Sequence, residues 1–144
     1  MSQVVESVKS AKSQEGAVIS AGVLRSSRLK SACVQAPRPI DLVHLSKFTL
    51  GNRELEAELL GLFKSQSYIY LDRMKLAETE EEWVRAAHSL KGSARAVGAW
   101  LVGEIAERAE QTICEAGSER NALVSDVRRE VEVTNRYIED LFTE

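Results

Sequence analysis

The 144-residue sequence holds only two cysteines, two prolines and two histidines, and 6% of it is aromatic. Cys33 and Cys114 stand alone, with no CxxC or CxxH spacing, which speaks against a zinc site and against a disulfide framework. Thiols used so sparingly predict a reducing, cytoplasmic setting. Two histidines are too few for a multi-histidine metal centre, so no metal site is expected. No apolar run approaches the roughly 18 residues of a membrane span, and the N-terminus shows no apolar stretch leading to a cleavage site. No glycine-rich phosphate loop appears, which argues against a nucleotide-driven kinase. The formal net charge of −3 supplies no general attraction to nucleic acid or to an anionic membrane.

What is present is unevenly distributed. Residues 1–36 carry five basic and two acidic side chains, leaving 14 basic and 20 acidic for residues 37–144. The first segment has eight serines and no aromatic residue, and it reads as a flexible or weakly helical basic tail. Its short apolar run, Val18 to Leu24, could dock, but a mobile tail is the expectation. Pro37-Arg38-Pro39 marks the boundary, because each proline biases its predecessor away from helix.

Residues 37–144 read as one all-helical domain. Asp41 can cap a short helix to about Phe48, and Leu50-Gly51-Asn52 breaks it. Leu55, Leu59, Leu62, Phe63, Ile69 and Met74 then recur at three- and four-residue steps and predict a long amphipathic helix. Thr79 and Glu82 stand in capping-box spacing, and Gly98 supplies a left-handed stop. Leu101, Ile105, Ala109 and Ile113 mark a helix over 99–116. Ser118 is placed to cap the last helix, striped by Leu123, Val127, Val131, Ile138 and Leu141. Short connections predict an up-down antiparallel four-helix bundle preceded by one short helix.

Ala87-His88-Ser89-Leu90-Lys91-Gly92-Ser93-Ala94 is the informative stretch. At about 100° per residue, Ala87, Leu90, Ala94 and Val97 fall within roughly 40° of Trp83 and define a buried stripe. His88 lies about 140° away, on a face shared with Glu81, Arg85, Lys91, Gly92 and Arg95. An imidazole predicted to stand in solvent at mid-helix is poorly explained by packing. Gly92, one turn on, costs about 1 kcal/mol against alanine and leaves the approach to the ring open. Lys91 can bring an ammonium alongside. An exposed nucleophile, a clear approach and a nearby cation suit transient attachment of a phosphoryl group. His44 also has a lysine three residues on, Lys47, but Phe48 fills the next position, so His44 is assigned surface or capping duty.

The run from His88 to Ala94, followed by Gly98, Leu101 and Glu110, resembles the signature of histidine-containing phosphotransfer (HPt) domains of bacterial two-component phosphorelays. The Leu55–Phe63 helix and the aromatic Trp83 fit as well, and the resemblance covers about residues 40–143. It implies a four-helix-bundle intermediate that accepts a phosphoryl group from one receiver-domain aspartate and passes it to another, without autokinase activity. On that resemblance His88 is the phosphorylated residue, Lys91 its charge-stabilising neighbour and Gly92 the clearance position. Ser89 and Ser93 border the docking surface on the same resemblance, and the exposed His88 face adds Val84 and Arg85 to it. Arg95 departs from the family pattern, and its bulk and charge on the histidine face are expected to tune partner choice. The partners implied are receiver domains of response regulators or hybrid histidine kinases. Magnesium is expected only on the receiver, leaving this chain without a cofactor, and a monomer is expected because one bundle closes its own core.

The rival reading is an interaction module that sequesters receivers or a kinase without taking phosphate. The His88–Lys91–Gly92 set argues against it, since sequestration needs no nucleophile. A hydrolase or transferase with its own substrate would need a second acid–base group near His88, and the local sequence offers none. Trp83 and Trp100 are expected to pack, and Cys114 to be buried beside Ile113.

Overall fold

The structure, a computed structural model, describes residues 37–112 and 117–143. Helix starts are fixed by side chains that satisfy the free amides of a first turn. The Asp41 carboxylate accepts from the His44 amide at 3.0 Å and opens α1, Leu42–Thr49. Leu50 and Gly51 then take left-handed φ values of 53° and 76°. Asn52 accepts from the amides of Glu54 and Leu55 and starts α2, Arg53–Leu76. Thr79 and Glu82 form a complete capping box at the head of α3, Glu80–Val97. Gly98, with φ 79°, ends that helix, and α4, Trp100–Gln111, begins two residues later. The last helix, α5, runs Ser118–Leu141.

Helices α2 to α5 close a ring in which each packs on the next and α5 returns to α2, while α1 lies across α2 and α3. Cross-helix pairs show the directions. Ser67 meets Asn135 and Lys64 meets Glu139, so α2 and α5 are antiparallel. Arg95 meets Glu107 and His88 meets Glu110, so α3 and α4 are antiparallel too. This is the up-down bundle expected, with α1 as the additional short helix. The described residues contain no strand, and no helix among them is long and apolar enough to cross a membrane.

The expected stripe of α3 is the buried one: Trp83, Ala87, Leu90, Ala94 and Val97, with Ala86 added. Three other readings need correction. In α2 the buried positions are Leu60, Phe63, Ser67, Leu71 and Met74, whereas Leu55, Leu62 and Ile69 are exposed. The helix carries apolar residues on more than one side, and the side turned inward is the one whose Ser67 pairs with Asn135 of α5. In α4 the buried face is Val102, Gly103, Ala106 and Ala109, with Leu101 exposed and the helix ending at Gln111. Small side chains face α3 here, so the helices approach closely enough that a Cβ on Gly103 would lie 3.2 Å from Cγ of Arg95. Ser118 is the first residue of α5 and not its cap; Gly117 takes the cap position without a side-chain hydrogen bond. Residues 1–36, Cys33 among them, and residues 113–116, with Ile113 and Cys114, lie outside the described residues.

Candidate functional site

His88 stands at mid-α3 with its side chain 67% exposed, on the face opposite the buried stripe. Its Nδ1 lies 2.7 Å from Oε1 of Glu110, in the last turn of α4. Oε2 of the same carboxylate accepts from the ammonium of Lys91. One carboxylate therefore ties together the imidazole and the lysine from across the helix pair. The side chains of Glu110 and Lys91 are both largely covered, at 19% and 18% exposure. The Lys91 hydrogen bond, helped by the one from His88, holds the Glu110 carboxyl below the usual carboxylate range, against the opposing effect of burial.

This arrangement fixes the ring chemistry. A carboxylate accepts only, so the proton it shares with the imidazole belongs on Nδ1. Nε2 of the neutral ring then carries the lone pair. Among the described residues Nε2 of His88 has no hydrogen-bond partner. One ring nitrogen is thus partnered and the other carries an unshared pair.

Gly92 is exposed, and a Cβ built on it would meet no heavy atom within 4 Å. Close helix packing therefore does not account for the glycine, and a methyl there would not crowd His88 itself. The clearance is available to something arriving from outside. Lys91 sits nearer the buried stripe than His88 does, about 80° from Trp83 on the helical wheel, which is why its stem is covered and its head reaches α4.

The remaining expected residues surround this centre. Val84 is half-buried against the core. Arg85 is exposed and paired with Glu81, and Ser89 returns its hydroxyl to the Arg85 carbonyl at 2.9 Å. Arg95 is paired with Glu107 at 2.8 Å, so both arginines already hold acidic partners. Ser93 is half-buried. Arg73 and Leu76 of α2 share a cleft of about 380 Å³ with Arg85 and Ser89, extending this surface onto α2.

His44 is placed elsewhere. Its ring lies between Phe48 and Trp100, with centroids at 5.1 and 4.8 Å, and its Nε2 is 3.1 Å from the Arg95 carbonyl. It fastens α1 to the end of α3. Trp83 is buried, as expected, and its indole N–H donates to the Ala109 carbonyl at 2.7 Å. Trp100 is half-exposed and donates to Asp41.

One expectation is overturned. A second acid–base group does stand beside His88, and it is Glu110, 22 residues away in sequence. Within α3 alone no such group exists; α4 supplies it. The available signal was the acidic position Glu110 of the family signature; the small residues Gly103 and Ala106 let α4 lie close enough to α3 for it to reach. Among the described residues no cluster of three or more His, Cys, Asp or Glu is arranged to hold a metal ion.

Fold and site together define a helical bundle that presents a single polarised histidine to solvent. The Hpt domain model matches residues 58–143, and the chain belongs to that family, the histidine phosphotransfer modules of phosphorelays, whose members interact with receiver domains. Such proteins are phosphotransfer intermediates. Among solved structures the chain resembles histidine-containing phosphotransfer protein B (HptB) from Pseudomonas aeruginosa PAO1, at 22% identity and a TM-score of 0.57, covering 74% of this chain and 96% of that one. At that identity the likeness speaks to the fold. No curated protein matches the chain.

Proposed function

We propose that His88 carries the phosphoryl group, accepting it from a receiver aspartate and passing it to another, and that the chain has no autokinase activity. The observation that carries this reading is the division of labour on one exposed ring: Nδ1 is held by Glu110 while Nε2 is unpartnered among the described residues.

In the transfer, the Nε2 lone pair attacks the phosphorus of a receiver aspartyl phosphate. The N–P bond forms as the P–O bond to the aspartate breaks, and the bonding pair leaves with the receiver carboxylate. The ring gains positive charge, which the Glu110 carboxylate offsets through the Nδ1–H bond. Lys91 gives one donor to Glu110 and retains others for the phosphoryl oxygens. Onward transfer reverses the sequence.

Gly92 leaves space for the incoming active site. Val84, Arg85, Ser89 and Arg95 frame the receiver contact, with the α2 cleft at its edge. The chain needs no cofactor, and the magnesium sits on the receiver. The protein acts as a monomer in the cytoplasm, where the scarcity of cysteine is at home.

Separate incubations with a phosphorylated receiver domain and with magnesium ATP test the reading. Label from the receiver and none from ATP is the expected result. Label acquired from ATP alone contradicts it.

A further inference from the structure

The carbonyls in the last turn of a helix have no intrahelical partner. In α4 the Ala109 carbonyl accepts only a long 3.4 Å bond from the Thr112 amide, which also bonds the Arg108 carbonyl, and it receives the much shorter one, 2.7 Å, from the indole N–H of Trp83 on the neighbouring helix, inside the core. Ala109 is fully buried and immediately precedes Glu110. The bond therefore pins the rotation of the last turn of α4 at the residue that leads into the carboxylate holding His88. Trp83 is itself held. Arg120, as a residue more than nine-tenths buried, places its Cζ 5.1 Å from the centroid of the Trp83 ring, and its buried Nε has no hydrogen-bond partner among the described residues. A cation kept there without such a bond at Nε is attracted by the face of the indole.

We infer that Trp83, clamped by Arg120, is a positioning residue for phosphotransfer: it caps α4 at Ala109 and so sets the Glu110–His88 contact that leaves Nε2 free to react. The inference rests on the reading of His88 as the phosphoacceptor. It assigns Trp83 a task beyond filling the core. Phenylalanine would fill most of the same space and lose the one donor that matters. Misplacing a catalytic group by about 1 Å can cost up to about 100-fold in rate, so loss of the cap without unfolding should slow transfer by about tenfold.

Nitrogen-15 NMR of the His88 ring, measured together with transfer from a phosphorylated receiver, tests this in the full chain. The wild-type neutral ring should carry its proton on Nδ1. Trp83→Phe should shift the ring toward the Nε2–H tautomer and slow transfer about tenfold, with helicity retained by circular dichroism. Glu110→Ala sets the full extent of the tautomer shift. Arg120→Met, which keeps apolar bulk and removes the charge, should move both readouts in the same direction by less. Wild-type tautomer and rate in folded Trp83→Phe would overturn the inference. Should that variant not fold, wild-type behaviour of Arg120→Met does so instead. A wild-type protein that takes no label on His88 defeats the phosphoacceptor reading, while the tautomer comparison still decides the role of Trp83.

Discussion

Glu110 and His88, 22 residues apart on adjacent helices, meet with Oε1 at 2.7 Å from Nδ1. The contact orients a surface imidazole, as the proposed role of phosphoacceptor requires. Nδ1 is partnered, Nε2 has no partner among the described residues, and Lys91 holds the other carboxylate oxygen. A change at Glu110 should therefore be felt in both chemistry and stability.

The stability effect has a defined pH dependence. The Glu110 carboxyl titrates below its ordinary range because Lys91 and His88 bond its ionised form. A depressed carboxylate contributes stability that is present above the unfolded value, roughly 4.3, and is lost as the pH falls through the folded value. The stability difference between wild type and Glu110→Gln that is present above the unfolded value should shrink as the solution is acidified below it. Urea titrations at several pH values check this. A difference that stays constant into the acid range contradicts it.

At Gly92 size should matter, because a Cβ there meets nothing within 4 Å. Gly92→Ala should raise stability by up to about 1 kcal/mol and leave transfer nearly intact. Gly92→Leu should be folded and at least as stable as the glycine protein, yet fail to take phosphate from a receiver. Equal transfer rates for all three would remove the clearance argument.

Gly98 should show the opposite pattern. Its φ of 79° costs an L-residue about 1–2 kcal/mol, and a Cβ there would lie 2.8 Å from the Asp41 carbonyl oxygen. Backbone has to shift on top of the conformational cost. Gly98→Ala should destabilise the bundle by more than about 2 kcal/mol and lower its melting temperature accordingly. A melting temperature within a degree or two of wild type would contradict this.

Much of this was legible from residue order. The α3 helix could be bounded and oriented from Thr79, Glu82, Gly98 and the Trp83–Val97 stripe, because its signals are local. From that stripe His88 and Gly92 were placed on the outer face without any tertiary information. The phase of α2 was not recoverable in the same way. Leu55, Leu62 and Ile69 look like core to an apolar count, yet the side that turns inward carries Ser67, engaged with Asn135 on α5. A polar contact between helices leaves no mark on the periodicity of either.

Glu110 belongs to the same class. The family signature put an acidic residue at that position, but its hydrogen bond to His88 depends on how closely α4 lies against α3. That distance is set by Ala94, Gly103 and their small neighbours on facing helices, a relationship no single helix displays.

The most direct measurement is phosphoryl transfer from a phosphorylated receiver to wild type and to His88→Gln, with the acid and base stability of any label determined. Because His88 is exposed, the substitution should change folding stability by no more than about 0.5 kcal/mol. Wild type should acquire label that is labile in acid and stable in base, and His88→Gln should acquire none while melting at nearly the wild-type temperature. Comparable label on folded His88→Gln would contradict the account.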